Sequence, residues 1–113
     1  EISPRDWSSD VCSSDLYRAA DDIDSMAAAG VYPDLAARAR IRMDCSRAVH
    51  YAREAVNLLV SASGGSAFGE SNPLQRIWRD INTSSLHGIL THRTNLEMYG
   101  RILLGLPQNS PLI

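Results

Sequence analysis

The chain has 113 residues with a formal net charge of −2, and all of its basic residues are arginine. One domain is the expectation at this length. Neither sign of charge dominates, which excludes a nucleic-acid footprint. No signal peptide or long apolar run is present, which excludes a membrane span and leaves a cytoplasmic protein as the default.

The first segment is unusual. Asp6–Leu16 reads DWSSDVCSSDL and matches the translation of a common sequencing-library adapter over eleven consecutive residues. Glu1–Arg5 fit the flank and index of such an adapter. The bland alternative is a Ser/Asp-rich disordered tail. Residues 1–16 are therefore set aside as a disordered scar, and residues 17–113 carry the fold. Without the scar the net charge moves from −2 to +1. Cys12 goes with it. Cys45 is then left without a partner, so no disulfide framework or metal site is expected, and a lone helical cysteine reads as a small core filler. Roughly 97 residues remain, too few to close a bundle comfortably. The first helix starts abruptly after the scar, as in a gene truncated on its N-terminal side.

A helix is predicted over 17–29, with Ile23 and Met26–Ala27 as its apolar side and Gly30 in the C′ position. Pro33 starts the next helix, over 34–62. Leu35, Ala39, Met43, Val49, Val56 and Leu59 fall near one stripe at helical spacing, and no Gly or Pro interrupts them. Such a helix is about 40 Å long. It needs neighbours of similar length, which points to a bundle. Gly64–Gly65 end it, and Asn72 and Pro73 are the N-cap and first position of a helix over 73–84. Leu74, Ile77, Trp78 and Ile81 share one face of that helix. Thr83–Gly88 are weak helix formers, so a bend or break is expected there. The pattern resumes over 88–104 and stops at Gly105 and Pro107, leaving an extended tail from Gln108 to Ile113. No strand pattern or repeat is present. The fold class is all-α, part of an up-down four-helix bundle.

Several residues in this layout have two readings. Gly64–Gly65 is either a plain helix cap or a place where backbone approaches a phosphate or ring. Arg76 and Asp80 are i, i+4 and suit a surface ion pair, while Arg79 faces a different partner, such as a phosphate. His87 sits at the helix break, where a side chain can project into a cavity and exchange a proton near neutral pH. His50 and His92 read as structural, and no pair among the three histidines has metal-ligand spacing.

Taken in order, Gly64–Gly65 and Arg79–Asp80 resemble one region of the acyl-CoA dehydrogenase superfamily, whose C-terminal domain is a four-helix bundle. The resemblance covers essentially Tyr17 to Ile113. Common dehydrogenases carry Tyr-Glu-Gly shortly after that Arg-Asp, and the Glu removes a proton from the acyl thioester. Here the Tyr and Glu positions hold His87 and Gly88, so that base is absent. The run from Pro73 to Asp80, followed by Ser85-Leu86-His87, is instead similar to the two-component flavin monooxygenase branch.

That resemblance implies a reduced FMN or FAD delivered by a separate flavin reductase, and molecular oxygen as co-substrate. It implies hydroxylation of a small aromatic or related substrate through a C4a-hydroperoxyflavin. It assigns His87 to the catalytic site and Gly64, Gly65, Ser66 and Arg79 to flavin contacts, with a homotetramer as the assembly. Two alternatives stay open: a divergent acyl-CoA dehydrogenase with its base elsewhere, and a non-catalytic helical interaction module.

Overall fold

Four helices succeed one another: α1 Pro4–Ala28, α2 Leu35–Ser63, α3 Pro73–Ser84 and α4 His92–Leu103. A short 3-10 turn, Gly64–Phe68, joins α2 to α3. The computed structural model describes residues 4–110, with side chains from residue 13 onward. Among these residues there is no strand, as the all-α expectation required. The last part of the expected tail, 111–113, and the first three residues of the expected scar lie outside the described residues.

α2 is the spine. The Asp34 carboxylate accepts from the Ala37 amide at 2.7 Å and closes its N-terminus. At its other end Gly64 takes φ +62°, a left-handed conformation that suits glycine, and its amide donates to the Val60 carbonyl. Among the described residues, α1, α3 and α4 each pack on α2 and not on one another.

This arrangement corrects the expected apolar stripe. Ala39 and Met43 are buried, but Val49 and Val56 are only half-buried, and Leu35 and Leu59 are exposed. α4 meets α2 near Arg42 and α3 meets it near Arg53 and Asn57. Each covers a short sector, so one stripe is not sealed along its whole length.

Two helix boundaries also differ from expectation. The first helix was expected to begin at Tyr17 after a disordered 1–16, but α1 extends back to Pro4. Once a turn is fixed by packing, adding residues to its end costs little, so whatever precedes Tyr17 readily joins the helix. Asp15 lies on this extension, is buried, and pairs with Arg47 of α2 and, at 3.2 Å, with Arg18. The last helix was expected from residue 88 and begins at His92. The preceding stretch is a series of turns, because its carbonyls find partners outside a helical ladder.

The α1–α2 contact is ionic. Asp44 has a fully buried side chain between Arg18 at 3.0 Å and Arg40 at 3.3 Å. Arg40 also pairs with Asp22. The α2–α4 contact centres on Met98 and Asn95, both fully buried, and on Ser46 of α2. At α2–α3 the Trp78 indole N–H donates to the Asn57 side chain at 2.8 Å, and Arg53 donates to Asn82 at 2.8 Å. Phe68 of the 3-10 turn meets the Trp78 ring edge-on.

Candidate functional site

The sequence expectations named two regions, and the fold places them far apart. The glycine turn lies at the C-terminal end of α2. The segment bearing His87 lies against the N-terminal half of α2, where the Arg42 guanidinium reaches the Gly88 carbonyl at 3.5 Å. At about 1.5 Å per residue, the levels of Arg42 and Gly64 on α2 are about 33 Å apart. The fold therefore does not bring His87 together with Gly64, Gly65 and Ser66 within one chain.

At the glycine turn, Ser66 is tied down locally. Its hydroxyl donates to the Ser63 carbonyl at 2.8 Å, and its own carbonyl accepts from the Asn72 amide side chain at 3.1 Å. Asn72 also caps α3 by accepting from the Leu74 amide at 3.0 Å. A side chain built on Gly64 or Gly65 would meet nothing within 4 Å. The face of this turn is open backbone, approachable by a flat ring or a phosphate. Arg79 of α3 is exposed and has no ion pair among the described residues, whereas Arg76 faces Asp80 at 3.8 Å. An open backbone turn and an exposed guanidinium are the groups that a phosphate-bearing ligand requires.

His87 is exposed on the turns between α3 and α4. Its amide donates to Ser84 and its carbonyl accepts from Leu90 at 2.8 Å. Its ring Nδ1 accepts from the Ile89 amide at 3.3 Å. A neutral ring so held carries its proton on Nε2, which is the nitrogen left for a ligand. Beside this segment lies a cleft of about 360 Å³, lined by Ser46, Val49, His50, Leu86, Leu90 and His92 among others.

His50 and His92, read from sequence as separate structural residues, stack with ring centroids 4.4 Å apart and nearly parallel planes. His50 also lies 3.4 Å from Glu54. Burial pushes the His92 pKa below the ordinary histidine value, His50 and Arg47 add to the effect, and Glu54 opposes it. Among the described residues, no cluster of three His, Cys, Asp or Glu is placed to hold a metal ion. No described helix is long and apolar enough to cross a membrane.

Sequence reasoning missed Asn95 and Arg42. Asn95 accepts from Arg42 at 2.9 Å and donates to the Ile89 carbonyl at 2.7 Å. The available signal was an amide one helical turn before Met98, on the face that packs against α2.

The family described as "Acyl-CoA dehydrogenase, C-terminal domain" matches residues 11–92. The chain belongs to this family. Within it, this acyl-CoA dehydrogenase C-terminal domain is 36% identical over 76 residues to a pigment production hydroxylase of a Rhodococcus species, covering 67% of the chain and 20% of that relative. It is 33% identical over 76 residues to a flavin-dependent monooxygenase, oxygenase subunit HsaA, of Rhodococcus jostii, again 67% of the chain and 20% of the relative. Among solved structures it is similar to XiaF from a Streptomyces species in complex with FADH2 and glycerol. The TM-score is 0.87 at 36% identity, over 95% of this chain and 27% of that one. The domain thus spans about a fifth of the length of the curated relatives it matches.

Proposed function

We propose that this acyl-CoA dehydrogenase C-terminal domain is part of the oxygenase component of a reduced-flavin-dependent monooxygenase that hydroxylates a small aromatic or related substrate. A separate reductase supplies the reduced FMN or FAD, and the assembly is a cytoplasmic homotetramer that uses neither nucleic acid nor a membrane. One observation carries the reading. His87, with an outward-facing imidazole, and Gly88, with no side chain, occupy the positions where the resembling dehydrogenases keep Tyr and the proton-abstracting Glu. A glycine cannot take a proton. The names of the relatives, a hydroxylase and a monooxygenase oxygenase subunit, support the same choice.

When bound, reduced flavin supplies the two electrons that activate molecular oxygen, one atom of which enters the substrate while the other leaves as water. The chain's own residues divide around it. The open backbone of Gly64, Gly65 and Ser66, with Arg79, would hold the phosphate or flank the ring system. His87 would meet the substrate oxygen through Nε2. With Nδ1 accepting from Ile89, the neutral ring donates a hydrogen bond there. To accept a phenolic proton at the same atom, the ring must switch tautomer and release the Ile89 amide. The contact with Ile89 supports the donor role. The separation of about 33 Å between the two regions supports an assembly in which the glycine turn of one subunit approaches a flavin held mainly by another.

The test is made in the full-length parent. His87→Ala is expected to cut product formation while oxygen uptake continues and ends as hydrogen peroxide. An unchanged product yield would remove His87 from the mechanism.

A further inference from the structure

We propose that Asn95 and Arg42 are positioning residues for His87, setting the direction and tautomer of its ring through Ile89. The proposal rests on the reading of His87 as the group that meets substrate.

The segment between α3 and α4 is held within itself by turn bonds, His87 N–H to the Ser84 carbonyl and Leu90 N–H to the His87 carbonyl among them. Leu86, His87, Gly88 and Ile89 are all exposed, and the segment forms turns rather than a continuous helix. What ties it to α2 and α4 is a line of hydrogen bonds from their interface. Asn95 is fully buried, and both ends of its amide are engaged. Its Oδ1 accepts from Arg42 Nε at 2.9 Å, and its Nδ2 donates to the Ile89 carbonyl at 2.7 Å. Arg42 Nη2 donates to the next carbonyl back, that of Gly88, at 3.5 Å. Two successive carbonyls just after His87 are thus tied to α2 and α4. The peptide N–H of Ile89, whose carbonyl Asn95 grips, in turn donates to His87 Nδ1 at 3.3 Å.

The direction of the chain of bonds is fixed. A guanidinium only donates, so the oxygen of the Asn95 amide must face Arg42 and its nitrogen must face Ile89. Burial makes the reversed amide costly, because both ends would then lack partners. Ile89 is held in place, and its amide presents a donor to the ring. His87 therefore keeps Nδ1 as an acceptor and Nε2–H outward. The peptide unit that carries the Ile89 N–H has the Gly88 carbonyl held by Arg42, and the next unit has the Ile89 carbonyl held by Asn95. Loss of either hold lets this turn move and the ring sample both tautomers.

Asn95→Asp is the sharpest variant. It is nearly isosteric and keeps the acceptor for Arg42, but it cannot donate to the Ile89 carbonyl when ionised. In the 113-residue chain, nitrogen NMR of the imidazoles is expected to show the Nε2–H form of His87 in the wild type and a mixture in Asn95→Asp. In the full-length parent, the same substitution is expected to lower product formed per oxygen consumed by about 10- to 100-fold, the scale of a small misplacement of a reacting group. KM for the substrate should change little, and hydrogen peroxide should make up the difference. Arg42→Lys, which loses the Nε bond to Asn95 but keeps the charge, is expected to shift the tautomers in the same direction. It provides the readout should Asn95→Asp not fold.

The outcomes separate. If His87→Ala abolishes coupling but both variants leave the His87 tautomer and the product yield unchanged, the positioning proposal is wrong and the functional reading survives. If His87→Ala leaves product yield unchanged, the functional reading itself fails. A tautomer that shifts without any change in product yield also overturns the positioning role.

Discussion

Asp44 offers the clearest test of how α1 is held. Its carboxylate is fully buried between Arg18 and Arg40, and Oδ1 has no hydrogen-bond partner. Asp44→Ala removes two charge-assisted bonds, each worth about 1.5–3 kcal/mol net. Two features reduce the loss. Arg18 keeps Asp15 and Arg40 keeps Asp22, so neither cation is stranded. The substitution also removes the unpartnered Oδ1, which costs about 1–3 kcal/mol where it stands. The net destabilisation should be about 2–3 kcal/mol, below the 3–5 kcal/mol typical of breaking a buried pair outright. With a urea slope of about 1–3 kcal/mol/M, the unfolding midpoint should fall by about 0.7–3 M. Far-UV circular dichroism through a urea titration reads this directly. Asp80→Ala is the control: its carboxylate is 71% exposed and faces Arg76 at 3.8 Å, so its midpoint should barely move. An Asp44→Ala midpoint as unmoved as the control's would show that the buried carboxylate contributes nothing, and the ionic account of α1 docking would fail.

Other outcomes follow from the same geometry. His92 has a pKa lowered chiefly by burial, so the unfolded chain binds the proton more readily than the folded one. Stability should fall as the pH drops below the ordinary histidine value of 6.5, and His92→Gln should flatten that slope in urea midpoints measured from pH 7.5 to 5. A slope that survives the substitution unchanged would assign it to another group. The Cys45 thiol is pushed up by burial and secondarily by Asp44. In a Cys12→Ser background it should react with iodoacetamide at pH 8 more slowly than the urea-unfolded chain, and equal rates would contradict the burial. The isolated chain should show no measurable binding of reduced FMN in an anaerobic titration, because its candidate flavin contacts lie far from His87. A tight titration would overturn this.

The legible parts of the chain were those governed by local chemistry. Asn72 caps α3 as a short polar residue ahead of a helical run should, and Gly64 ends α2 in the left-handed conformation. Asp34, expected inside α2 behind a Pro33 start, is instead its N-cap. The break after Thr83 was readable in its weak helix formers. The start of the last helix was misplaced by four residues because Ile89 and Leu90 fit the apolar pattern. In the fold the Ile89 carbonyl accepts from the Asn95 side chain, and the helix starts only after Thr91. The stripe on α2 was read as continuous because periodicity records which residues share a face, not how far each neighbour extends along it.

Sequence by itself determined the helices, the caps at Gly64 and Asn72, and the placement of Gly88, which cannot take a proton, directly after His87. Each depends on residue type and on spacing along the chain. Only the tertiary structure decided how far His87 lies from the glycine turn, that His50 and His92 form one stack, and that Arg42 and Asn95 reach across two helices to the residue that orients the His87 ring. These are contacts between residues distant in sequence. They are set by how α4 docks on α2, and no local pattern encodes that.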